Sequence, residues 1–366
     1  MTKQRKKNIV LTAGGTGGHI YPAEALAEEL QKRGYEVVFY TDARGLENYQ
    51  GSLRQVENRA IFSGSVIGKS VLTKVKSLCK VALGVVQAGF YLLRNRPLAV
   101  VGFGGYASFP TAVAAIILRI PLVVHEQNSV MSRTNRILAH FATITAQSFR
   151  HVKNTPNGAK EFLSGMPIRE NIVKLHDWQH NFANSKSEFT LLILGGSQGA
   201  KIFSDVIPQA LELLPEDYQK RCVVYQQCRR GDEEVIAQKY ANLYCKKTIA
   251  PFFNNMSELY QKADLMISRA GASSIYEIAA AGVPAVLVPL PTAADNHQYY
   301  NAKELADNKG AILIKQEELT ADKLSKLVVQ LADDPQQLKE LAENAKKCAI
   351  IDAPKRLADA IEKLRA

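Results

Sequence analysis

The sequence predicts an α/β protein with two parallel-sheet domains in series, separated by a cleft. Short apolar runs alternate with amphipathic segments along nearly the whole chain, which is typical of strands and helices in a parallel sheet covered on both faces. The alternation stops between residues 151 and 188, where two prolines and two glycines precede a polar stretch, and then restarts. A chain of 366 residues is also long enough to bury two separate cores.

In the first half, apolar runs at residues 8–13 and 36–41 predict two buried strands. The helix between them is expected at 22–33, with Pro22 in its first turn and Gly34 just past its end. Further strands are predicted at 99–101, 122–125 and 143–146, with helices at 110–119 and 132–140 between them.

In the second half, strands alternating with helices are predicted at 189–194, 223–226, 248–250, 265–268, 285–289 and 311–314, and three polar-faced helices follow. We expect one domain at residues 1–165, a second at 166–345, and a terminal helix at 346–366 that packs back on the first domain. Two such domains would leave a cleft between the carboxyl ends of their strands, where open sheets bind ligands.

The composition is that of an ordinary globular protein, with 46% hydrophobic and 22% charged residues. A disordered, collagen-like or disulfide-stapled chain is therefore excluded. The five cysteines form no C-x-x-C pair, which indicates reduced thiols in a cytoplasmic protein. The basic start of the sequence runs directly into a predicted strand, unlike a secretory signal. Since no run of about 18 uncharged apolar residues occurs, we expect no membrane-spanning helix.

The net charge of +11 is concentrated in the first half of the chain. Residues 1–170 hold 22 Lys and Arg against 10 Asp and Glu, whereas the remaining residues hold 24 against 25. No acidic residue stands between Glu57 and Glu126, although eight basic residues do. A surface with such a field attracts phosphate groups on a substrate, a lipid headgroup or a nucleic acid.

Three glycine-rich loops directly follow predicted strands, at residues 14–19, 102–106 and 195–199. Glycine lets backbone N–H groups approach an anion, and the N-terminus of the following helix adds a favourable partial charge. Tight-turn geometry alone would explain one such loop, but three of them predict a substrate that carries phosphate. None matches the dinucleotide or P-loop pattern, so we do not assign Asp42, which follows the second strand, to the ribose of a dehydrogenase cofactor.

A fourth loop, residues 268–277, opens a helix late in the second half. Residues 272–274 would offer N–H and hydroxyl donors to a diphosphate, and Glu277 would accept from ribose hydroxyls. The spacing of Ser274 and Glu277 also fits a capping box that stabilises the helix start. A capping box does not account for the polar cluster at 295–298, which follows another strand and is expected to face the same cleft.

Six motifs now stand in order along the chain: G-G-T-G-G-H at 14–19, G-F-G-G-Y at 102–106, H-E-Q-N at 125–128, G-G-S-Q-G-A at 195–200, S-R-A-G-A-S-S-I-Y-E at 268–277 and D-N-H-Q-Y-Y-N-A at 295–302. Together they resemble the MurG family of peptidoglycan glycosyltransferases. Its members move N-acetylglucosamine (GlcNAc) from UDP-GlcNAc to the C4 hydroxyl of N-acetylmuramic acid (MurNAc). The acceptor is undecaprenyl-diphospho-MurNAc-pentapeptide, called lipid I, and the product is lipid II.

This resemblance implies a GT-B fold, with two Rossmann-like domains around a cleft, inversion at the anomeric carbon, and no required cofactor or metal. The sequence also lacks the D-x-D pair with which metal-dependent enzymes of the other common fold hold Mn²⁺ or Mg²⁺. Without a metal, the leaving UDP must be neutralised by N–H groups, a helix N-terminus or a cation.

The resemblance also assigns ligand contacts. The backbone of Ile249 would contact the uracil, and Ser197 would bind the diphosphate. Asn128 and Gln298 would form hydrogen bonds with the sugar hydroxyls. The predicted donor set is Thr16, Gly17, Gly18, Asn128, Arg169, Ser197, Ile249, Ala272, Ser273, Ser274, Ile275, Tyr276, Glu277 and Gln298. The predicted diphosphate site of the acceptor is Gly14, Gly15, Gly104, Gly105 and Tyr106. The sequence departs from the family pattern at Met166, where asparagine is usual, and at His297, where glutamine is usual.

His19 and Glu126 are the predicted catalytic residues. An inverting transfer needs a base for the attacking hydroxyl, and a histidine at the cleft end of the first glycine loop is the first candidate. Glu126 is the rival, as a carboxylate at the end of a strand. Alternatively, His19 only caps or packs at the helix start, and Glu126 only orients the following loop. His125 is predicted to be structural.

Residues 70–96 are predicted to meet the membrane, because the acceptor carries a lipid tail. Lysines and arginines flank an apolar run at 81–93 that is too short to span a bilayer but suits an element lying on its surface. Alternatively, much of this run, above all its second part, is a buried core helix. The predicted lipid contacts are Val71, Leu72, Lys74, Val75, Lys76, Leu78 and Lys80.

We therefore expect a peripheral protein at the cytoplasmic face of the plasma (inner) membrane. Its expected partners are UDP-GlcNAc, lipid I, an anionic phospholipid surface and proteins of cell-wall synthesis, but not nucleic acid, because aromatic residues are not interleaved with the basic ones. Other interpretations stay open: a UDP-GlcNAc 2-epimerase, a GT-B transferase with a different acceptor, or a non-enzymatic nucleotide-sugar binder. The acid-free region at 58–125 favours a membrane acceptor over a soluble substrate.

Overall fold

The computed structural model describes residues 7–14, 17–49, 51–64, 71–182, 188–196 and 199–364. The chain forms two compact units. The N-terminal unit comprises Met1–Arg169 and Ile350–Ala366, and the C-terminal unit comprises Glu170–Ala349. The backbone therefore passes from one unit to the other twice.

In its described part, the N-terminal unit contains one parallel sheet. Its strands are β1 (Asn8–Thr12), β2 (Glu36–Thr41), β3 (Glu57–Ala60), β4 (Val100–Gly102), β5 (Leu122–Glu126), β6 (Ile144–Gln147) and β7 (Glu161–Leu163). They pair in the order β3-β2-β1-β4-β5-β6-β7, so the strand order reverses between β1 and β4. The helices between them are α1 (Gly17–Lys32), α2 (Ala43–Asn48), α3 (Val71–Asn95), α4 (Phe109–Ile117) and α5 (Arg133–Ala139).

The C-terminal unit repeats this plan with a second parallel sheet. Its described strands are β8 (Phe189–Leu194), β9 (Cys222–Gln227), β10 (Lys246–Ala250), β11 (Leu265–Ser268), β12 (Ala285–Leu287) and β13 (Ile312–Leu313). They pair in the order β10-β9-β8-β11-β12-β13, so the order reverses between β8 and β11. The helices of this unit are α6 (Glu170–Val173), α7 (Lys201–Glu212), α8 (Glu216–Arg221), α9 (Glu233–Lys239), α10 (Met256–Lys262), α11 (Ala272–Ala281), α12 (His297–Asp307), α13 (Ala321–Asp333) and α14 (Pro335–Cys348).

The central strands are apolar on both faces because helices cover both sides of each sheet. In β1, Ile9 and Leu11 face one buried cluster, whereas Val10 faces another. The first cluster includes residues of α1 and of the last helix, α15 (Ala353–Lys363), which packs against α1. Arg33, just past α1, adds ion pairs to Asp359 and Glu362 at 2.6 and 3.0 Å.

Two features differ from the sequence prediction. Helix α1 begins at Gly17 rather than near residue 22, so Pro22 lies inside the helix. Pro22 is the sixth residue of α1, so the helix lacks the hydrogen bond that an N–H at this position would donate to the carbonyl of Gly18. The edge strands β3 and β7 were not predicted, because their sequences, E-N-R-A and E-F-L, are short and partly exposed and show no apolar run.

Candidate active site

Each unit brings two loops to the point where its strand order reverses. In the N-terminal unit these loops follow the neighbouring strands β1 and β4, and in the C-terminal unit they follow β8 and β11. Ligands of open α/β sheets bind at this point, outside the carboxyl ends of the strands. The four loops singled out in the sequence therefore lie at the ligand-binding edges of their own sheets.

The first two glycine loops contact each other through their backbones. Gly14 N–H donates to the carbonyl of Gly104 at 3.0 Å. Gly104 and Gly105 have φ values of +81° and +78°, which favour glycine. A Cβ atom on Gly105 would lie 2.9 Å from the Cα of Gly14, so a side chain there would separate the loops. Gly15 and Thr16 lie outside the described residues.

His19 sits where these two loops meet. It is the third residue of α1, after Gly17 and Gly18, and its side chain is half-buried. A Cβ atom placed on Gly14, Gly104 or Gly105 would lie 3.6, 3.5 or 3.7 Å from atoms of its ring. The imidazole is therefore held against both predicted phosphate-binding loops, where a base could reach a bound acceptor.

Glu126, the last residue of β5, is fully buried and accepts four hydrogen bonds. One carboxylate oxygen accepts from the backbone and side-chain amides of Asn128, at 3.0 and 3.3 Å. The other accepts from Ser132 N–H at 2.9 Å and from Asn135 Nδ2 at 2.8 Å. This arrangement fits the alternative in which Glu126 organises the loop at 127–132 and thereby orients Asn128.

Asn135 was not singled out in the sequence, yet it connects these features. It is 1% exposed, and Nδ2 also donates to the carbonyl of His125 at 3.1 Å. Its amide group faces Gly104, on the same side as the ring of His19. The only signal in the sequence is Ser132, three residues before it, whose hydroxyl caps α5 by accepting from Asn135 N–H.

Tyr106 follows the second loop and is tied to the second strand. Its hydroxyl donates to Asp42 Oδ2 at 3.1 Å, while Asp42 Oδ1 caps α2 through Gly45 N–H. Burial, together with the Asp42 charge, raises the pKa of Tyr106. Asp42 thus holds a residue of the predicted acceptor site.

The segment at 165–169 contacts β5 through His125 and α1 through Tyr21. His125 is fully buried and donates from Nε2 to the carbonyl of Gly165 at 3.1 Å. Burial lowers the pKa of His125 to about 4, so the ring is neutral at pH 7 and has the structural setting predicted for it. Met166 is a core side chain, 1% exposed, and Arg169 lies 5.5 Å from the centroid of the Tyr21 ring.

In the C-terminal unit, the third glycine loop is a tight turn before α7. Gly199 N–H donates to the carbonyl of Gly196 at 3.0 Å, and both residues have positive φ. A Cβ atom on Gly195 would lie 2.2 Å from the nitrogen of Ala200, so only glycine fits there. Ser197 lies outside the described residues.

The fourth loop leads into α11, whose first N–H groups have no cap from the preceding residue. The N-cap is Gly271, which carries no side chain, so Ser273 and Ser274 lie within the first turn. The capping-box alternative for Ser274 and Glu277 is therefore wrong, because Ser274 is not at the cap position. Glu277, one turn further, accepts from the hydroxyl of Tyr260 at 2.8 Å. This end of α11 is suited to an anion.

Side chains from α12 fix the backbone of the fourth loop. Gln298 Oε1 accepts from the N–H groups of Ala270 and Leu290, at 3.2 and 3.0 Å. This orients the amide so that Nε2 is the group that Gln298 can offer to a sugar hydroxyl. Asn301, which is fully buried, donates to the carbonyl of Ala270 at 3.1 Å. In His297, Nδ1 lies 2.8 Å from a carbonyl and must therefore donate.

Three of the predicted donor residues place their side chains in or against the core of the C-terminal unit. Ile275 and Tyr276 are 1% and 5% exposed, with their side chains in the core. Ile249 packs against the core of the C-terminal unit from β10, the edge strand of the sheet. The loop at 251–255 follows β10 at its carboxyl end, and there Phe253 packs edge-on against Tyr225 at 6.3 Å.

Helix α3 carries the predicted membrane contacts. Lys74, Val75, Lys76, Leu78 and Lys80 are exposed, and the side chains of Val71 and Leu72 are outside the described part. The second half of α3 differs from its prediction as a buried helix. Its exposed fractions are 60% for Leu83, 72% for Val86, 61% for Phe90 and 57% for Leu93.

The sequence predicts no membrane-spanning helix, but part of α3 is long and apolar enough to span a bilayer. Among the described residues, one segment, Thr73–Asn95, meets this criterion by length and composition, with a mean hydropathy of 1.3 over an 18-residue window that is 22% buried. The sequence argument required an uncharged run, whereas this window includes lysines. A core helix of a soluble protein can meet the same criterion.

No group of three or more metal-ligating side chains occurs among the described residues.

Comparison with known proteins agrees with this geometry. The glycosyltransferase family 28 N-terminal domain matches residues 9–147, and the family 28 C-terminal domain matches residues 190–363. Two Rossmann-like parallel-sheet units with loops at both switch points thus define a glycosyltransferase of the GT-B class. The chain is 42% identical over 354 residues to a Rhodospirillum rubrum protein, with 97% of this chain and 91% of that one covered. That protein is named UDP-N-acetylglucosamine–N-acetylmuramyl-(pentapeptide) pyrophosphoryl-undecaprenol N-acetylglucosamine transferase. The chain belongs to this family, the MurG family.

Further relatives and structures extend the comparison. A Rickettsia bellii protein of the same name is 39% identical over 353 residues, covering 93% of this chain and 95% of its own. The crystal structure of Acinetobacter baumannii MurG matches with a TM-score of 0.78 and 32% identity over 98% of this chain and 99% of that one. A Neisseria meningitidis UDP-GlcNAc 2-epimerase matches with a TM-score of 0.68 at 13% identity, over 97% of this chain and 100% of that one, which shows the fold alone.

Proposed function

We propose that this enzyme transfers GlcNAc from UDP-GlcNAc to the C4 hydroxyl of MurNAc in lipid I, with inversion, to give lipid II. The observation that carries the proposal is the position of paired loops at both switch points in a chain that is 42% identical to a transferase of that name. The C-terminal unit binds the UDP-sugar at the open N-terminus of α11, and the N-terminal unit binds the acceptor diphosphate at the paired glycine loops.

In this proposal His19 is the base. Its ring lies against Gly14, Gly104 and Gly105, which form the proposed diphosphate site. The C4 hydroxyl gives its proton to His19 as the new bond to the anomeric carbon forms, and the electron pair of the breaking C1–O bond goes to the β-phosphate of UDP. Glu126 is a positioning residue, because both of its oxygens already accept from N–H donors.

The direct test is transfer of labelled GlcNAc to a short-chain lipid I analogue in the presence of EDTA. We expect product without added metal, and its loss in His19→Ala and Glu277→Ala. Glu188→Gln is a matched control, because that carboxylate is 60% exposed and pairs only with Lys246 in the described part of the chain. UDP-GlcNAc binding without transfer would overturn the acceptor assignment, and conversion of UDP-GlcNAc to its 2-epimer would instead establish the epimerase.

We further propose that α3 lies on the surface of an anionic membrane at the cytoplasmic face of the plasma membrane. Its exposed apolar side chains, at 75, 78, 83, 86, 90 and 93, follow the helical repeat along one face. Ser77, Ala88 and Leu92 on the opposite face are buried in the N-terminal unit. Because one face of α3 packs on protein, a surface position is favoured over a span. Lys74, Lys76 and Lys80 flank the apolar face and would attract acidic lipids, at about 1 kcal/mol each.

Sedimentation with vesicles tests this second proposal. The protein should co-sediment with phosphatidylglycerol vesicles, and a much smaller fraction of it should co-sediment with neutral phosphatidylcholine vesicles. Val86→Glu should abolish sedimentation, whereas Leu213→Glu, at a site 57% exposed in the C-terminal unit, should leave it unchanged. Equal binding of the two variants would refute the role of α3.

A further inference from the structure

Arg269 is a buried cation whose partners in the described residues are neutral. The side chain is 7% exposed. Its Nη1 donates to the carbonyls of Val288 and Pro289, at 3.1 Å each, and its Nη2 donates to Gln316 Oε1 at 2.6 Å. The guanidinium also lies 5.2 Å from the centroid of the Phe203 ring. No ion pair to a carboxylate joins this set in the described part of the chain.

Such a charge is costly to bury. Arginine stays protonated in proteins. Hydrogen bonds to neutral carbonyls compensate only part of the hydration free energy that a charged group loses when it is buried. Burial accordingly lowers the pKa of Arg269. An apolar side chain packed against Phe203 would avoid this cost, so stability alone does not account for an arginine here.

The position of Arg269 indicates where its counter-charge comes from. It directly follows β11 and stands two residues before Gly271, the N-cap of α11. Its guanidinium bonds the backbone just after β12, the strand beside β11. The cation therefore lies at the carboxyl edge of the sheet, next to the α11 N-terminus, where the proposed donor diphosphate binds.

We propose that Arg269 supplies the fixed positive charge for the diphosphate of the nucleotide donor, and that its counter-ion arrives only with that ligand. This inference rests on the proposed donor site at α11. Arg269 acts as a positioning residue: its N–H groups hold the 288–289 backbone, and its charge acts on the phosphates through the low-dielectric interior. Since UDP gains negative charge as the C1–O bond breaks, a preorganised cation also favours departure of the leaving group.

The test compares UDP with uridine, which shares the base and ribose but lacks the phosphates. Dissociation constants of both are measured by isothermal titration on the full chain. Arg269→Met should weaken UDP binding on the order of tenfold, because it removes a positive charge that attracts the phosphates, while uridine affinity changes less than about twofold. Arg269→Lys, which keeps the charge, should restore most of the preference for UDP over uridine.

Arg33→Met is the matched control, because that arginine is paired with Asp359 and Glu362 in the other unit. It should lower thermal stability without changing either affinity. Parallel weakening of UDP and uridine in Arg269→Met would overturn the inference, because it would show a purely structural role. If Arg269→Met does not fold, loss of the UDP preference in folded Arg269→Lys would do the same. A wrong assignment of the donor site would give a different result. The unmodified protein would then not bind UDP, or Glu277→Gln would leave the affinity for uridine unchanged.

Discussion

Replacement of Glu126 by glutamine separates the two roles considered for this residue. The carboxylate accepts four hydrogen bonds, two on each oxygen. In glutamine an NH₂ group replaces one of the two oxygens, and this group donates but does not accept. Two of the four hydrogen bonds are therefore lost, and the NH₂ group lies against the N–H groups that had donated to the missing oxygen. At about 1.5–3 kcal/mol for each hydrogen bond to a charged group, Glu126→Gln should cost at least about 3 kcal/mol. The free energy of unfolding of a domain is only roughly 5–15 kcal/mol, so this loss is a large part of it.

Thermal unfolding and the pH profile of transfer are the two measurements. For a unit of this size, a cost of about 3 kcal/mol lowers Tm by at least roughly 6 °C. His19→Ala, which removes a half-buried ring, should change Tm far less but abolish transfer. Folded Glu126→Gln, assayed well below its Tm, should keep the acid limb of the kcat/KM profile. A Glu126→Gln variant with unchanged Tm that has no transfer, or whose residual transfer lacks the acid limb, would refute the positioning role and make Glu126 the base.

Three further predictions follow from the same geometry. Glu277→Gln should raise the Kd for UDP and for uridine by similar factors, on the order of tenfold, by isothermal titration, because the ribose contact is common to both. Gly105→Ala should lower Tm more than Gly158→Ala, although both have φ near +80°, because only the first places a Cβ atom 2.9 Å from Gly14; equal losses in the two variants would contradict the paired-loop geometry. His125 has a folded-state pKa of about 4, below its unfolded value, so unfolding takes up a proton and stability falls as pH drops from about 6.5 towards 4. His125→Gln should flatten Tm against pH in that window, and an unchanged slope would show that another group is responsible.

The apolar strands and their loops could be predicted from the sequence for a physical reason. Strands buried on both faces, such as β2, β8 and β11, must be continuously apolar, so their bounds are visible in the chain. Edge strands such as β3 are partly exposed, so their residues need not be apolar, and the sequence shows no apolar run that would identify them. The glycine loops could be placed because a strand, a glycine turn and a helix follow one another locally.

The connections within the site could not be predicted, because they join residues on different elements of the fold. Gly14 bonds Gly104, Asn135 bonds Glu126 from the next helix, and Arg269 bonds the 288–289 backbone. Such contacts depend on which strands are neighbours, which a single sequence does not record. The resemblance to a family gave ligand roles to individual residues, but only the folded chain shows that Glu126 is enclosed by N–H donors.

The return of α15 to the N-terminal unit bears on how the chain folds during synthesis. The buried cluster on one face of the first sheet is completed by Leu357, Ala358 and Ile361, which lie more than 300 residues beyond β1. The C-terminal unit, by contrast, is built from the uninterrupted segment Glu170–Ala349. Because domains fold as their residues emerge, the unit made second can close first, and the unit made first stays incomplete along α1 until α15 has been synthesised. The apolar face of α1 that α15 covers therefore stays exposed while the whole C-terminal unit is made.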